Sequence, residues 1–186
     1  MTEQNVRLIS YSQVPEGDFI GLENAQELIA YCAKVSNPTN QINNETSEKL
    51  IKYLIKHQHW SPLEMVSACL EIDTTRDIAH QIVRHRSFAF QEFSQRYANP
   101  AEMGNQFVIR EARLQDTKNR QNSIDMNTDD ATQRIIAETW VEAQQEVIDL
   151  AKRTYEWAID NGIAKEQARV VLPEGNTKTR LYMNGT

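Results

Sequence analysis

The residues best suited to do chemistry lie in one short stretch, from Arg84 to Arg96. Arg84, His85 and Arg86 are three consecutive cationic or titratable groups at the end of a predicted helix. Neighbouring cations repel each other, and arginine forks match phosphate geometry bidentately, so the cluster favours an anion site. Cations at a helix C-terminus also stabilise the helix by about 0.3–1 kcal/mol, which leaves a purely structural explanation open. The residue types alone predict either a nucleotide-like anion site or a charged helix end.

A second group of polar side chains follows directly in the sequence. If this segment is extended, Glu92, Ser94 and Arg96 share one face, because side chains two residues apart point the same way. A carboxylate, a hydroxyl and a guanidinium on one face can recognise a polar ligand by acceptor, donor and charge. The opposite face presents Phe93 and Tyr97 to the core. The competing interpretation is a half-buried strand with an Arg–Glu pair.

The elements that position these residues are read from hydrophobic spacing. Period-two alternation and β-prone runs predict strands at residues 6–11, 66–72, 107–110 and 177–183. Helical spacing predicts helices at residues 22–35, from Ser47 to just before Ser61-Pro62, from a cap at residues 73–75 through Arg84, and at about 130–160. Residues 114–130 are polar and are predicted to be a loop. Strands and helices interleave irregularly, so we expect an α+β fold, with one domain over residues 1–186 and an antiparallel sheet flanked by helices.

The helix at about 130–160 has the clearest helical spacing of apolar residues. We expect it to end at Asn161-Gly162, with the glycine as a left-handed cap. The predicted buried face repeats at helical spacing and comprises Ile136, Trp140, Ala143, Val147, Ala151 or Leu150, Tyr155 and Ala158.

Composition excludes several classes of protein. The chain has 186 residues and a formal net charge of −6, so it is not a general polyanion binder. Two cysteines cannot form a disulfide framework or a four-cysteine zinc site, and a reduced, cytoplasmic location follows. No apolar run is long enough to span a membrane, so no membrane partner is expected. The N-terminal residues lack the pattern of a signal peptide.

The stretch RHRSFAFQEFSQRY resembles the signature of the flavin-dependent thymidylate synthases, in which Arg-His-Arg is followed by seven residues and then Ser. Gln81 lies three residues before the first arginine, as it does in the family. The segment from His59 to Glu64 is similar to the family's His-x-Ser-Pro-x-Glu, and Ala168 to Pro173 is similar to its Ala-Arg-x-x-Leu-Pro. These matches occur in the family's order and cover positions 59–173.

The resemblance implies a reaction, the reductive methylation of dUMP at C5 to give dTMP. Methylenetetrahydrofolate is the implied carbon donor, reduced FAD the hydride donor and NADPH the reductant of the flavin. The implied fold is the α+β fold of this family, and the implied assembly is a homotetramer whose active sites are shared between subunits. The implied partners are therefore dUMP, folate and NADPH, with no nucleic acid.

The resemblance also assigns roles to individual residues. The residues expected to bind FAD are His59, Ser61, Arg84, His85, Arg86, Glu92 and Thr186. Those expected to bind dUMP are Gln81, Arg84, Glu92, Ser94, Gln95, Arg96 and Arg169. Ser94 is expected to position and polarise the substrate and not to act as a nucleophile, because its local sequence offers no base. No metal is expected.

Two departures from the family pattern stand out. Met65 occupies the place where the family commonly has a histidine after Ser-Pro-x-Glu. The chain ends at Thr186, where the family normally continues into Arg-Ser and another helix. By this comparison the chain is short at its C-terminus, and the arginine expected to activate the uracil ring is not among its residues.

Three alternatives remain at this stage. The clustered histidines could bind a metal, although their spacing matches no known zinc pattern. The arginines and aromatics could bind nucleic acid, against which the negative net charge argues. A relative could keep flavin and nucleotide binding while having lost the synthase activity.

Overall fold

The computed structural model describes residues 5–17, 21–98 and 106–186. Its strands, in chain order, are β1 (Asn5–Tyr11), β2 (Ala68–Thr75), β3 (Ala89–Glu92), β4 (Arg113–Gln115), β5 (Ser123–Asp125) and β6 (Lys178–Gly185). Its helices are α1 (Ala25–Ala33), α2 (Ser47–Lys56), α3 (Arg76–Ile82), α4 (Ala131–Asp160) and α5 (Lys165–Ala168). This mixture of helices and sheet confirms the predicted α+β class.

Four strands form one sheet in the order β1-β2-β6-β3, and β4 pairs with β5 in a second sheet. The larger sheet is antiparallel between β2 and β6. Arg180 bonds Asp73, whereas Tyr182 bonds Glu71, so the residue number rises on one strand as it falls on the other. The chain divides into two compact units, and the single catalytic domain over residues 1–186 stays a prediction. Unit 1 comprises residues 1–5, 73–84 and 92–181, and unit 2 comprises residues 6–72, 85–91 and 182–186.

In unit 2, α1 and α2 pack against each other. Asn24 caps α1, because its side-chain oxygen accepts a hydrogen bond from the Glu27 amide at 3.0 Å. Ile29, Ala30 and Leu54 are buried in this unit. The helix α2 ends at Lys56, before Ser61-Pro62, as the proline predicts. Its N-cap is Thr46, and Ser47 is its first helical residue.

In unit 1, α4 is a helix of 30 residues. Asp130 caps it by accepting hydrogen bonds from the amides of Thr132 and Gln133. Asn161 is its C-cap, and Gly162 has a φ of 76°, which confirms the predicted left-handed stop. The end of α4 contributes to a core formed by Tyr155, Ala158, Ala168 and Leu172, with Phe107 and Ile159 against it.

A buried glutamine fixes the segment before the β4–β5 hairpin to α4. Gln144 is 5% exposed. Its Oε1 accepts from the Arg110 amide at 2.9 Å, and its Nε2 donates to the Arg110 carbonyl at 2.8 Å. Asn176 Nδ2 donates to the same Oε1 at 3.0 Å and to the Val108 carbonyl at 2.9 Å. The side chains therefore take the hydrogen-bonding role that a neighbouring strand would have. Residues 107–110 are accordingly not the predicted strand, and only Phe107 forms a β-bridge, to Thr177.

Two further predictions about local structure are wrong. The predicted loop at 114–130 contains the β4–β5 hairpin, in which Leu114 faces Ile124 across the pair. The predicted buried face of α4 is correct only at Ala151, Tyr155 and Ala158, which lie on an inner seam with Gln144 and Ile148. The remaining positions of the predicted face are exposed in this chain, namely Ile136, Trp140, Ala143, Val147 and Leu150. Together with Trp157, which is also exposed, they form an outer seam.

Among the helices of the described ranges, none combines the length and the apolar character that crossing a bilayer requires.

Candidate functional site

In unit 1, Glu92 lies at the end of β3 and is fixed by two donors. Its Oε1 accepts from Arg76 Nη1 at 3.3 Å and from Thr179 Oγ1 at 2.9 Å. Thr179 is 1% exposed, so one of the donors comes from the interior of the unit. Both described contacts fall on Oε1. The residues of the described structure leave Glu92 Oε2 without a bonding partner, so this oxygen can accept from a ligand.

The expected common face of Glu92, Ser94 and Arg96 does not form. The strand ends at Glu92, and the chain turns over residues 95–97, where the Tyr97 amide donates to the Ser94 carbonyl at 3.2 Å. The alternation of an extended chain therefore stops at Ser94. Tyr97 is 79% exposed and does not enter the core.

The turn gives Ser94 a local hydrogen bond. Its Oγ accepts from the Arg96 amide at 3.4 Å. In the ranges that the structure describes, no imidazole or carboxylate bonds this hydroxyl, so no base is placed to activate it. This arrangement favours a positioning role for Ser94 over a nucleophilic one.

The same turn buries Gln95 and leaves Arg96 at the surface. Gln95 is 3% exposed, and no acceptor among the described residues bonds its Nε2. A buried amide donor without a partner costs free energy, which makes it a candidate for a ligand contact. Arg96 pairs with Glu166 at 3.3 Å, and about half of each side chain is exposed.

Three further predicted residues of unit 1 follow helices or turns. Gln81 lies in the last turn of α3 and is exposed, and Arg84 follows in the turn after it. Arg169 begins a 3₁₀ turn after α5, and its Nε donates to the Glu166 carbonyl at 3.3 Å. Within the described residues, neither Arg84 nor Arg169 has a carboxylate partner. The helix α3 ends at Ile82, two residues earlier than predicted, so Arg84 is not part of it.

In unit 2, His85 and Arg86 lie in the turn before β3. The His85 ring stacks on Phe88 with 4.2 Å between ring centroids, which fixes the imidazole. A Cβ atom at position 185 would overlap the Phe88 ring, so Gly185 leaves room for this stack. Arg86 is exposed and, in the described part of the chain, has no carboxylate partner. Thr186 is exposed at the end of the chain.

The other predicted residues of unit 2 follow α2. Gln58 has a φ of 58°, the left-handed conformation, and turns the chain between two histidines. The Tyr53 ring lies 4.2 Å from the His57 ring and 6.1 Å from the His59 ring, measured between centroids. Ser61 begins a 3₁₀ turn and is exposed, as is His59. These side chains form an exposed polar and aromatic surface.

The histidine cluster gives the metal-site alternative no support. In the ranges described, no three His, Cys, Asp or Glu side chains converge as metal ligands. The rings of His57 and His59 are 6.2 Å apart, and His80 Nε2 bonds Arg76 while its Nδ1 lies 3.1 Å from Glu174 Oε2.

The residues that hold Glu92 in place were not predicted from the sequence. Arg76 bonds Glu92 and His80, and His80 Nδ1 lies 3.1 Å from Glu174 Oε2. The i, i+4 spacing of Arg76 and His80 on α3 is the sequence signal that could have paired them. Their link to Glu92 and Glu174 depends on tertiary structure, which spacing does not reveal.

Comparisons with known proteins place the chain among relatives of one kind. A family described as "Thymidylate synthase complementing protein" matches residues 19–186. A probable flavin-dependent thymidylate synthase of Paramecium bursaria Chlorella virus 1 is 49% identical over 167 residues, which cover 89% of this chain and 73% of that protein. A flavin-dependent thymidylate synthase of Synechocystis sp. is 47% identical over 186 residues, which cover 98% of this chain and 79% of that protein.

A solved structure is similar over the whole chain. The UMP/dUMP methylase PolB from Streptomyces cacaoi, crystallised with 5-Br dUMP, matches with a TM-score of 0.77 and 25% identity. The match covers 100% of this chain and 74% of that one. This likeness confirms the predicted combination of helices and antiparallel sheet.

Proposed function

We propose a reaction for this chain from the premise that it belongs to the flavin-dependent thymidylate synthase family. The reaction is the methylation of dUMP at C5 to give dTMP, with a flavin as cofactor. The observation that carries the proposal is the 47% identity to the Synechocystis enzyme over 98% of this chain. The similarity to a methylase crystallised with 5-Br dUMP supports a uridylate as the substrate.

The finer proposal names the co-substrates. Methylenetetrahydrofolate supplies the carbon, and NADPH supplies the reducing equivalents. The carbon arrives as a methylene group, so one hydride is needed to complete the methyl group that replaces the C5 hydrogen. FAD is the proposed flavin, and when bound and reduced it supplies that hydride. The remaining task of the protein is to bind and orient the reactants.

The residues present fit a flavin with a phosphate-bearing tail. Arg84 and Arg86 have no carboxylate partner in the described structure, so their guanidinium groups can pair with phosphate oxygens. His85 is held by its stack on Phe88 at 4.2 Å, and its imidazole can contact the cofactor in a fixed orientation. We assign FAD binding to these residues and, from the resemblance, to His59, Ser61, Glu92 and Thr186.

The proposed dUMP contacts divide by chemistry. Arg84, Arg96 and Arg169 match the phosphate, since arginine recognises phosphate bidentately. The buried Nε2 of Gln95 is a donor that a substrate oxygen would satisfy. Ser94 positions the pyrimidine through its hydroxyl. The resemblance adds Gln81 and Glu92, and the free Oε2 of Glu92 can accept a hydrogen bond from the substrate.

We also propose that the chain acts as a homotetramer with active sites shared between subunits. The outer seam of α4 supports association with further copies of this chain. From Ile136 to Leu150 its residues recur at alternating steps of four and three, and Trp157 follows seven residues later, which is the spacing of helix–helix seams. Trp140 and Trp157 on this seam are 47% and 60% exposed, and large exposed apolar patches mark interaction sites. In unit 2, β1 likewise exposes Val6 and Leu8 by more than half.

A cytoplasmic location is part of the proposal. Its support is the pair of free cysteines, Cys32 and Cys69, since reduced thiols are typical of that compartment.

The direct test is release of tritium from C5-labelled dUMP, because replacing the C5 hydrogen by a methyl group sends it to water. We expect release that requires folate and NADPH together, and labelled UMP serves as the comparison substrate. Absence of release, from a protein that nevertheless binds flavin and dUMP, would identify an inactive relative. A colourless protein that takes up no added FAD would overturn the synthase proposal.

The cofactor assignment makes a first prediction. Arg86→Ala should lose FAD, because its guanidinium has no carboxylate partner among the described residues and is assigned to the cofactor. Flavin absorbance per chain measures occupancy, and circular dichroism measures folding. Arg120→Ala is the matched control, since Arg120 is an exposed arginine near the β4–β5 hairpin to which no role is assigned. Full flavin occupancy in the Arg86 variant would show that the assignment is wrong.

A further inference from the structure

The guanidinium of Arg76 is surrounded by three side chains of unit 1. Arg76 is the first residue of α3, and its side chain is 12% exposed. Nη1 donates to Glu92 Oε1 at 3.3 Å, and Nη2 lies 3.2 Å from His80 Nε2. Nε lies 4.0 Å from Glu174 Oε1. A nearly buried arginine with this many partners is held in one orientation.

The hydrogen-bond roles in this group follow from donor chemistry. A guanidinium can only donate, so His80 Nε2 must accept from Arg76. Nδ1 of the same ring lies 3.1 Å from Glu174 Oε2. His80 and Glu174 thus hold Arg76 from the side away from Glu92.

The arrangement determines which oxygen of Glu92 is available. Arg76 and Thr179 both occupy Oε1, while the carboxylate is 20% exposed. Arg76 also supplies the cation that compensates this half-buried charge. Without it, Oε1 would keep one neutral donor, and the carboxylate could rotate about its side-chain torsions.

We propose that Arg76 is a positioning residue that orients Glu92 for the nucleotide, with His80 and Glu174 as its support. The inference rests on the proposed function, in which Glu92 contacts the substrate. Arg76 thereby acts on the reaction through another side chain and not by touching dUMP. The substrate is the uridylate of the proposed reaction, and Arg76 orients the Glu92 carboxylate that binds it.

A double-mutant cycle tests this dependence. Arg76→Gln should lower kcat/KM for dUMP by about tenfold to a hundredfold, the range for a lost charged hydrogen bond. In a Glu92→Gln background the same change should cost no more than about twofold, because the group that Arg76 orients is already changed. An equal loss in both backgrounds would mean that Arg76 contacts the ligand itself or acts only on folding, and would overturn the proposal.

Two further variants separate positioning from stability. Arg76→Lys keeps the charge and should recover part of the activity that Arg76→Gln loses. Arg113→Gln is the matched control, since it removes an arginine paired with Glu111 and Asp125 on the hairpin, and it should leave kcat/KM unchanged. Thermal unfolding monitors stability in each variant. If Arg76→Gln does not fold, the cycle is run with Arg76→Lys, and additive losses there would overturn the proposal.

A structural readout keeps this inference distinct from the proposed function. Crystal structures of the wild type and Arg76→Gln should show the Glu92 carboxylate moved away from Thr179 in the variant. An unmoved Glu92 would overturn the inference even if the enzyme is active. Absence of tritium release by the wild type would refute the proposed function, while a moved carboxylate would still support the orienting role of Arg76.

Discussion

At the scale of single residues, Arg96 already has an anionic partner. Its pair with Glu166 at 3.3 Å is half-exposed, and such pairs contribute about 0–1 kcal/mol. A phosphate that binds Arg96 must displace the Glu166 carboxylate or share the guanidinium with it. Glu166 therefore competes with the proposed substrate for the guanidinium, and it also keeps Arg96 oriented before binding.

Removing this competition gives a second prediction. Glu166→Gln should lower the Kd for dUMP by up to about fivefold, because the guanidinium no longer has to leave a carboxylate. Titration calorimetry at low ionic strength measures the change. Glu111→Gln, which removes an exposed charge just before the β4–β5 hairpin, should leave the Kd for dUMP unaltered. A higher Kd for dUMP in the Glu166 variant would show that Glu166 mainly orients Arg96 and does not mainly compete with the phosphate for it.

At the scale of elements, the helices and strands predicted correctly are those whose hydrophobic spacing and end signals agree. The limits predicted for α4 are accurate because its helical spacing ends where the Asn161-Gly162 stop is found. The β4–β5 hairpin was missed because its strands have three residues each, too few for alternation to be recognised. The turn after Ser94 was missed because its residues also fit an extended strand.

The roles proposed for the residues from Gln81 to Arg96 came from the resemblance to the family's signature, which is contiguous in the sequence, and they stay predictions. Thr179, which bonds Glu92, lies more than 80 residues away from it in the sequence. Glu174, which contacts His80, lies more than 90 residues away from that histidine. Their contacts form only through folding, and no local pattern encodes them.

The hairpin gives a prediction about pH. Asp116 accepts a hydrogen bond from Asn122 Nδ2 at 2.8 Å and others from the amides of Lys118 and Asn119. The Asn122 bond first, and then the two amides, hold the pKa of Asp116 below its ordinary value of 3.8. Because the folded pKa is lowered, the contribution to the turn is present above the ordinary value and is lost as pH falls through the folded one.

We therefore expect the 116–122 turn to open as the pH falls below the ordinary Asp pKa of 3.8. The NMR shifts of the Lys118 and Asn119 amides report this transition. In Asp116→Asn, which cannot titrate, the same amides should show no transition over this range. A transition that persists in the variant would assign the effect to another group.

At the scale of the whole molecule, the two seams of α4 separate folding from association. The inner seam, with Ile148 and Tyr155, packs within unit 1. The outer seam, with Val147 and Leu150, exposes more than half of each side chain. A change on the outer seam should therefore affect assembly more than the folding of the chain.

The corresponding prediction uses charges on that seam. Val147→Glu and Leu150→Glu should each shift the molecule from the proposed tetramer to smaller species, because a buried unpaired carboxylate is costly at an interface. Light scattering coupled to size-exclusion chromatography measures the mass, and flavin absorbance shows whether shared sites are lost. Lys152→Glu, on another exposed face of the same helix, should leave the assembly intact. A tetramer that survives both seam variants would place the interface elsewhere.

The glutamine in the middle of α4 also limits which sequences this fold can accept. Gln144 both donates to and accepts from the backbone of Arg110, so its side chain needs one donor and one acceptor. Glutamate lacks the donor, leucine lacks both, and asparagine is one methylene shorter. In a library randomised at this position, we expect selection for folded protein to return glutamine almost alone, whereas the neighbouring exposed positions Ala143 and Gln145 admit many residues.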